Sequence, residues 1–247
     1  MSNIIKSEMF RSLRSCYFRL CFFGGALLMG AGMIFLPEIA EFIGFHLKTA
    51  DDLNIVLPFV LVAVAVALMV IFPMFTDIFK YDTYKNNPPA LLCLQKAKYA
   101  AVLIFMLFYA AVFTISLSVC IIRLTPEGSS PVGDILSCCG RFLATVPNYM
   151  AIIAFIQLLA VSVRNETASI VVYYFIIPQM FTVKLFINAV FSNSGDTVIH
   201  LTPVGELYNL GCNISPVQTV ISVVVGIAYT AVLIAMVQKF YKKRVFE

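Results

Sequence analysis

Six long stretches of this chain carry no charged side chain. They run from Arg19 to Glu38, Asp52 to Asp77, Lys98 to Arg123, Arg141 to Arg164, Glu166 to Lys184 and Glu206 to Lys239. A helix needs about 20 predominantly apolar residues to cross the hydrocarbon core of a bilayer. The fifth stretch is the tightest. It reaches that length by continuing through Lys184 as LFINAVF, with the lysine snorkelling to one membrane face. Runs such as VLPFVLVAVAVALMVIF are apolar on both parities, whereas the strands of a membrane barrel alternate. The sequence therefore predicts an all-α integral membrane protein, one transmembrane domain over 1–247. Its six transmembrane helices are expected at about 16–36, 54–76, 99–122, 142–163, 168–190 and 216–238.

Composition excludes the alternatives. Hydrophobic residues make up 61% of the chain and charged residues 12%, against about 45–50% and about 25% in a soluble domain. That excess of apolar surface does not fit in one globular core of this size, which argues against a soluble enzyme, a disordered chain and a nucleic-acid module. The first apolar run is followed by LPEIAEF rather than a small-x-small cleavage site, so span one is expected to remain as a signal anchor.

Basic residues set the orientation of such a chain. The N-terminal segment, up to the first turn of span one, holds Lys6, Arg11, Arg14 and Arg19. Lys80, Lys85, Lys96 and Lys98 follow span two, Arg164 follows span four, and Lys239, Lys242, Lys243 and Arg244 close the chain. The other three loops hold Lys48, Arg123, Arg141 and Lys184, together with most of the acids. Both termini are therefore predicted to be cytoplasmic, in a multi-pass protein of the cell membrane. No nucleic-acid partner is expected.

The connecting segments have patterns of their own. In residues 1–15, Ile5, Met9, Phe10 and Leu13 recur at helical spacing, with Ser7, Glu8, Arg11 and Arg14 on the other side. This predicts an amphipathic helix lying on the anionic leaflet, or simply a basic flank to span one. In the cytoplasmic loop 77–98, Asn87 can cap a short helix begun by Pro88, with Leu91, Leu92 and Leu94 on its apolar side. In the outer loop 192–215, Thr202 can cap, Pro203 can start and Gly211 can end another. VIHL before it and LYNL within it are too apolar for a free loop, which suggests a re-entrant segment dipping into the outer leaflet.

Within the spans, Gln157, Gln179, Thr182 and Asn188 are polar and should face protein or a water-filled path, so they line a transport path or serve helix packing. Gly24, Gly25, Ala26, Gly30 and Gly32 permit close helix approach in span one, equally suited to a dimer seam and to packing within one chain. No Gly-rich phosphate loop, HExxH pair or intramembrane carboxylate pair is present, so no catalytic residue, metal site or bound cofactor is expected. A disulfide between Cys212 and either Cys138 or Cys139 is left open.

Taken together, the basic amphipathic start IIKSEMFRSLRS, the segment FTDIFKYDTYKNNPPALLCLQKAKY after span two, the outer loop before span six and the basic tail resemble the membrane permease subunits of ABC-2 type ABC exporters. The likeness in style is to bacterial lantibiotic or peptide exporter and immunity permeases. The resemblance implies an acidic residue, Thr, Lys-Asn and Lys pattern at Asp77, Thr83, Lys85, Asn86 and Lys98. With Arg11 and Arg14, these would contact a separate ATPase. It implies two copies of that ATPase carrying the ATP and Mg, and a second permease copy or a sister permease. The cargo expelled would be a peptide, drug or other amphipathic molecule. The competing expectation is a non-transporting membrane scaffold or sensor that binds a soluble partner through the same cytoplasmic helices.

Overall fold

A computed structural model describes residues 2–71, 75, 88–126, 129–163, 165–191, 201–212 and 215–246. Among these residues the regular structure is helical throughout, with no strand. Helix α1 spans Ser2–Arg14, α2 Cys16–Ile34 and α3 Leu36–Phe42. A tight turn at Ala50–Asp52 leads into α4, Leu53–Ala67, which ends in a tighter 3-10 turn at Leu68–Ile71. Then follow α5 (Pro88–Leu124), α6 (Val132–Val163), α7 (Glu166–Phe191), α8 (Pro203–Gly211) and α9 (Pro216–Phe246).

Among the described residues, four segments are long and apolar enough to cross a membrane: Cys16–Ile34, Cys93–Leu124, Val132–Val163 and Pro216–Phe240. Leu53–Ala67 and Glu166–Ile177 are shorter apolar helices. Each of the six predicted segments thus coincides with a helix, but the ends differ. Span two was expected to stay helical over 54–76, yet the α-helix closes at Ala67 and tightens over the next four residues. The larger departure is in the loop 77–98. The capped helix expected at its end is not separate but forms the first turns of α5. The reason is local: after Pro89 no glycine or proline interrupts the chain before Leu124, so nothing stops the helix. At about 1.5 Å per residue, α5 is roughly 55 Å long and outreaches the roughly 30 Å hydrocarbon core.

Cross-contacts fix the directions of the helices. Phe18 and Phe22 pack against Phe105, with ring centroids 5.0 and 4.9 Å apart. Farther along, Arg123 Nη1 donates to the Ile34 carbonyl at 2.7 Å. Helices α2 and α5 therefore run in the same direction. The Tyr99 hydroxyl donates to the Met150 carbonyl (3.0 Å) and Phe113 stacks on Phe142 (4.4 Å), so α6 runs opposite to α5. Arg141 meets Asn54 and Tyr149 meets Leu61, so α4 runs with α6.

Helix α6 is the central post. Ala151, Ile153, Ala154, Ile156 and Ala160 are fully buried, while α9 leaves Val217, Val220, Val224, Ile227 and Val232 largely exposed, as expected of a lipid-facing helix. Where α9 crosses α6, a Cβ on Gly226 would lie 2.7 Å from the backbone of Pro147 and Asn148. Only glycine allows that approach. Two small residues of α2 serve packing inside this chain: a Cβ on Gly25 would meet Tyr109, and one on Gly30 would meet Ser116 and Val112 of α5, whereas Gly24 and Gly32 face open space.

Candidate functional site

Helix α1 does not lie free at the end of the bundle. It packs against the first turns of α5 and the start of α2, and its contact is built on a charge cluster. Lys98 Nζ lies 3.2 Å from Glu8 Oε2, and Arg11 Nη2 lies 2.8 Å from the same oxygen. The Lys98 side chain is completely buried and that of Glu8 is 7% exposed. Ser12, one turn on, is buried and donates its hydroxyl to the Glu8 carbonyl at 2.9 Å. Apolar Met9 and Leu13 pack on the core alongside. The helical spacing assigned Glu8 to the solvent side, but the structure turns it inward, because a fully buried ammonium requires an anion. Phe10, assigned to the apolar side, is instead 68% exposed.

The residues singled out in the sequence fall in several places. Asp77, Thr83, Lys85 and Asn86 lie outside the described residues. Lys98 and Arg11 meet at Glu8, and Arg14 is exposed at the end of α1. Lys6 and Lys96 are exposed as well, so α1 and the start of α5 present cations around a buried ion pair. The Lys98 side chain is completely buried and presents no surface of its own. Gln157 is buried in α6, whereas Gln179 is exposed on α7. Thr182 and Asn188 belong to the same helix as Gln179, but their side chains lie outside the described part.

At the opposite end, α8 has the boundaries its sequence implies. Thr202 accepts from the Gly205 amide at 3.1 Å, Pro203 opens the helix and Gly211 closes it. Nearly all of α8 is buried against α4 and α6. A Cβ on Gly211 would fall 2.4 Å from Pro58, so the chain closes on α4 only with glycine there. Arg141 ties the three elements together. Its Nη1 donates to Asn54 Oδ1 and to the Cys212 carbonyl, both at 2.8 Å, and its Nη2 donates to Cys138 Sγ at 3.3 Å. The cation thus sits at the carbonyl end of α8, where the helix dipole favours it. Sequence reasoning placed Arg141 in an outer loop; α6 begins ten residues earlier than expected and carries it into the packing. All seven cysteines are free thiols, including Cys138, Cys139 and Cys212.

Also at that end, Arg123 pairs with Glu38. These bonds hold the Glu38 carboxyl below the usual glutamate range, the Arg123 hydrogen bond contributing most. Asp52 is likewise lowered, because its Oδ2 accepts from the Lys48 and Thr49 amides at 2.8 and 2.9 Å.

Between α2, α4 and α5 lies an apolar cleft of about 590 Å³. It meets an inner cavity of about 200 Å³ between α5 and α6. Met29, Val64, Met106 and Tyr109 line both. Among the described residues no group of His, Cys, Asp and Glu could hold a metal ion. Neither a protein-family model nor a curated protein matches this chain.

Proposed function

We propose that this chain is the membrane permease subunit of an ATP-driven exporter of the ABC-2 type, working with a separate ATPase. Both termini and the start of α5 would face the cytoplasm, α8 would form the outer re-entrant element, and all six apolar segments would cross the membrane. The cargo best suited to this reading is a peptide or another amphipathic molecule. The supporting observation is α1, braced on α5 by the buried Glu8–Lys98 pair. A braced cytoplasmic helix can pass a push from a soluble partner directly into a spanning helix, because a rigid contact couples two sites only if it biases both. The segment 77–87, which precedes α5 in the sequence, would by its resemblance supply the rest of the docking surface.

The test is co-purification in mild detergent, with ATPase activity assayed on the eluate. The tagged chain is compared with a Lys85→Ala, Asn86→Ala variant and with Glu8→Ala. Export predicts a co-purifying ATPase that the loop variant loses. If no ATPase accompanies even the unaltered chain expressed with its chromosomal neighbours, the exporter reading fails. An ATPase bound without ATP-dependent movement of any cargo would instead point to the scaffold.

A further inference from the structure

The cleft between α2, α4 and α5 has a lining that specifies its occupant. Phe18, Leu28, Val60, Leu68, Val102 and Phe105 form its walls. Among the described residues the one hydroxyl there, on Tyr109, already donates to the Phe22 carbonyl at 2.7 Å, and the remaining polar side chain is the Cys21 thiol. Such a lining offers no partner to a peptide backbone, a sugar or a phosphate, each of which would lose its hydrogen bonds to water on entering. At about 590 Å³ the cleft lies within the roughly 300–1,000 Å³ range of ligand sites. Its mouth is continuous with the lipid-facing surface: Leu20 and Leu28 line it and are themselves 72% and 73% exposed. Both belong to a helix long and apolar enough to cross a membrane.

We propose that this cleft is a binding site for one acyl chain of a bilayer phospholipid, which enters between α2 and α4 and reaches the junction with the inner cavity at Met29 and Met106. A hydrocarbon chain gains there the packing contacts that an empty cleft lacks, and it leaves no polar group unsatisfied. The proposal rests only on the helices being membrane-embedded, and it stands or falls independently of ATP-driven export.

The chain contains no tryptophan, so a single introduced indole reports on its own surroundings. Met29→Trp puts the probe at the junction; methionine sites tolerate reshaping well. Leu27→Trp, at a position 69% exposed and outside the cleft lining, is the lipid-facing control. Both are reconstituted into phosphatidylcholine vesicles with plain or brominated acyl chains. Bromine quenches indole only near contact. The expected result is a fluorescence loss for Met29→Trp comparable to that for Leu27→Trp. Gly24 lines the cleft, and a Cβ there meets nothing within 4 Å, so Gly24→Leu starts a side chain in open space and serves as the plug. In the Met29→Trp background the plug should restore most of the lost fluorescence, and in the control it should change nothing. An unquenched Met29→Trp beside a quenched control overturns the proposal, whether the cleft is closed or covered by a second copy of the chain. Quenching that survives the plug overturns it too, since ordinary surface lipid would then explain it. If Met29→Trp does not reconstitute, Met106→Trp carries the same comparison.

Discussion

Removing the Glu8 carboxylate should undock α1, and the structure sets the size of the effect. Lys98 is fully buried and Glu8 nearly so, at 3.2 Å, so the pair is not weakened by solvent as a surface ion pair would be. Breaking a buried pair from one side costs about 3–5 kcal/mol, because the remaining charge loses its compensation. In Glu8→Ala the loss is compounded, because Arg11 and Lys98 both lose the carboxylate oxygen they share. In Lys98→Met the carboxylate keeps Arg11, which is one-third exposed, so that variant should suffer less. A shift of about 3–5 kcal/mol corresponds to roughly two to three and a half orders of magnitude in a local opening equilibrium. Amide hydrogen exchange of residues 3–14 in lipid nanodiscs reads that equilibrium directly. The expected order of protection is wild type above Lys98→Met above Glu8→Ala. The double variant Glu8→Leu, Lys98→Met should recover much of the loss, since an apolar pair can replace a buried ion pair among Met9 and Leu13. Exchange in Glu8→Ala equal to wild type, or slower than in Lys98→Met, would refute the reasoning.

Three further outcomes follow from the packing. Gly226→Ala and Gly211→Ala push a methyl into backbone at 2.7 and 2.4 Å and should each lower stability by about 1–3 kcal/mol; Gly32→Ala, which meets nothing, should be neutral or stabilising, and thermal unfolding in detergent separates the cases. Arg141→Lys keeps the charge but loses the fork that holds Asn54 and the Cys212 carbonyl together, and should cost about 1.5–3 kcal/mol for each bond lost, seen as faster exchange of the α8 amides. The pairing of α3 with Arg123 is acid-sensitive. The folded Glu38 value is depressed, so its contribution is present above the ordinary glutamate value of about 4.3 and is lost as pH falls through the lower folded value. Protection of residues 36–42 should drop over that interval and become independent of pH in Arg123→Gln.

Much of the helical layout is legible in the sequence because its cause is local. Uncharged apolar runs can be satisfied in a membrane only by helices or closed barrels, and the parity of the runs decides between the two. The boundaries of α8 are legible for the same reason: Thr202, Pro203 and Gly211 each act on neighbours within a turn. The continuity of α5 was also written locally, in the lack of a breaker after Pro89, but the apparent cap at Asn87 and Pro88 drew attention to a separate helix. What escaped has a distant cause. That Glu8 turns inward to a buried cation rather than to the solvent side involves Lys98, 90 residues away. The same holds for Gly226, whose need to lack a side chain arises from Pro147. Tyr149 and Tyr173 look like ordinary apolar-face aromatics until their hydroxyls are seen donating to the Leu61 and Ala65 carbonyls.

These contacts also distribute rigidity unevenly. Helices α4, α6, α8 and α9 are fastened by polar bonds at several levels: Arg141 to Asn54 and Cys212, Tyr149 to Leu61, and Asn148 to Ser222 at 3.1 Å. Helices α1, α2 and α5 form a second group, joined by the Glu8 cluster, by the rings of Phe18, Phe22 and Phe105, and by Arg123 at the far end. The apolar cleft lies on the line between them, with α5 leaning on α6 through Tyr99 and through the Phe113–Phe142 stack. Apolar surfaces slide at lower cost than hydrogen-bonded ones, because no buried donor or acceptor is orphaned along the way. Any change of shape in this chain would meet the least resistance along the cleft, with α5 at its edge. If the cleft takes a hydrocarbon chain as proposed, that chain would favour the open spacing, and the proposed partner at α1 would act on the same group of helices.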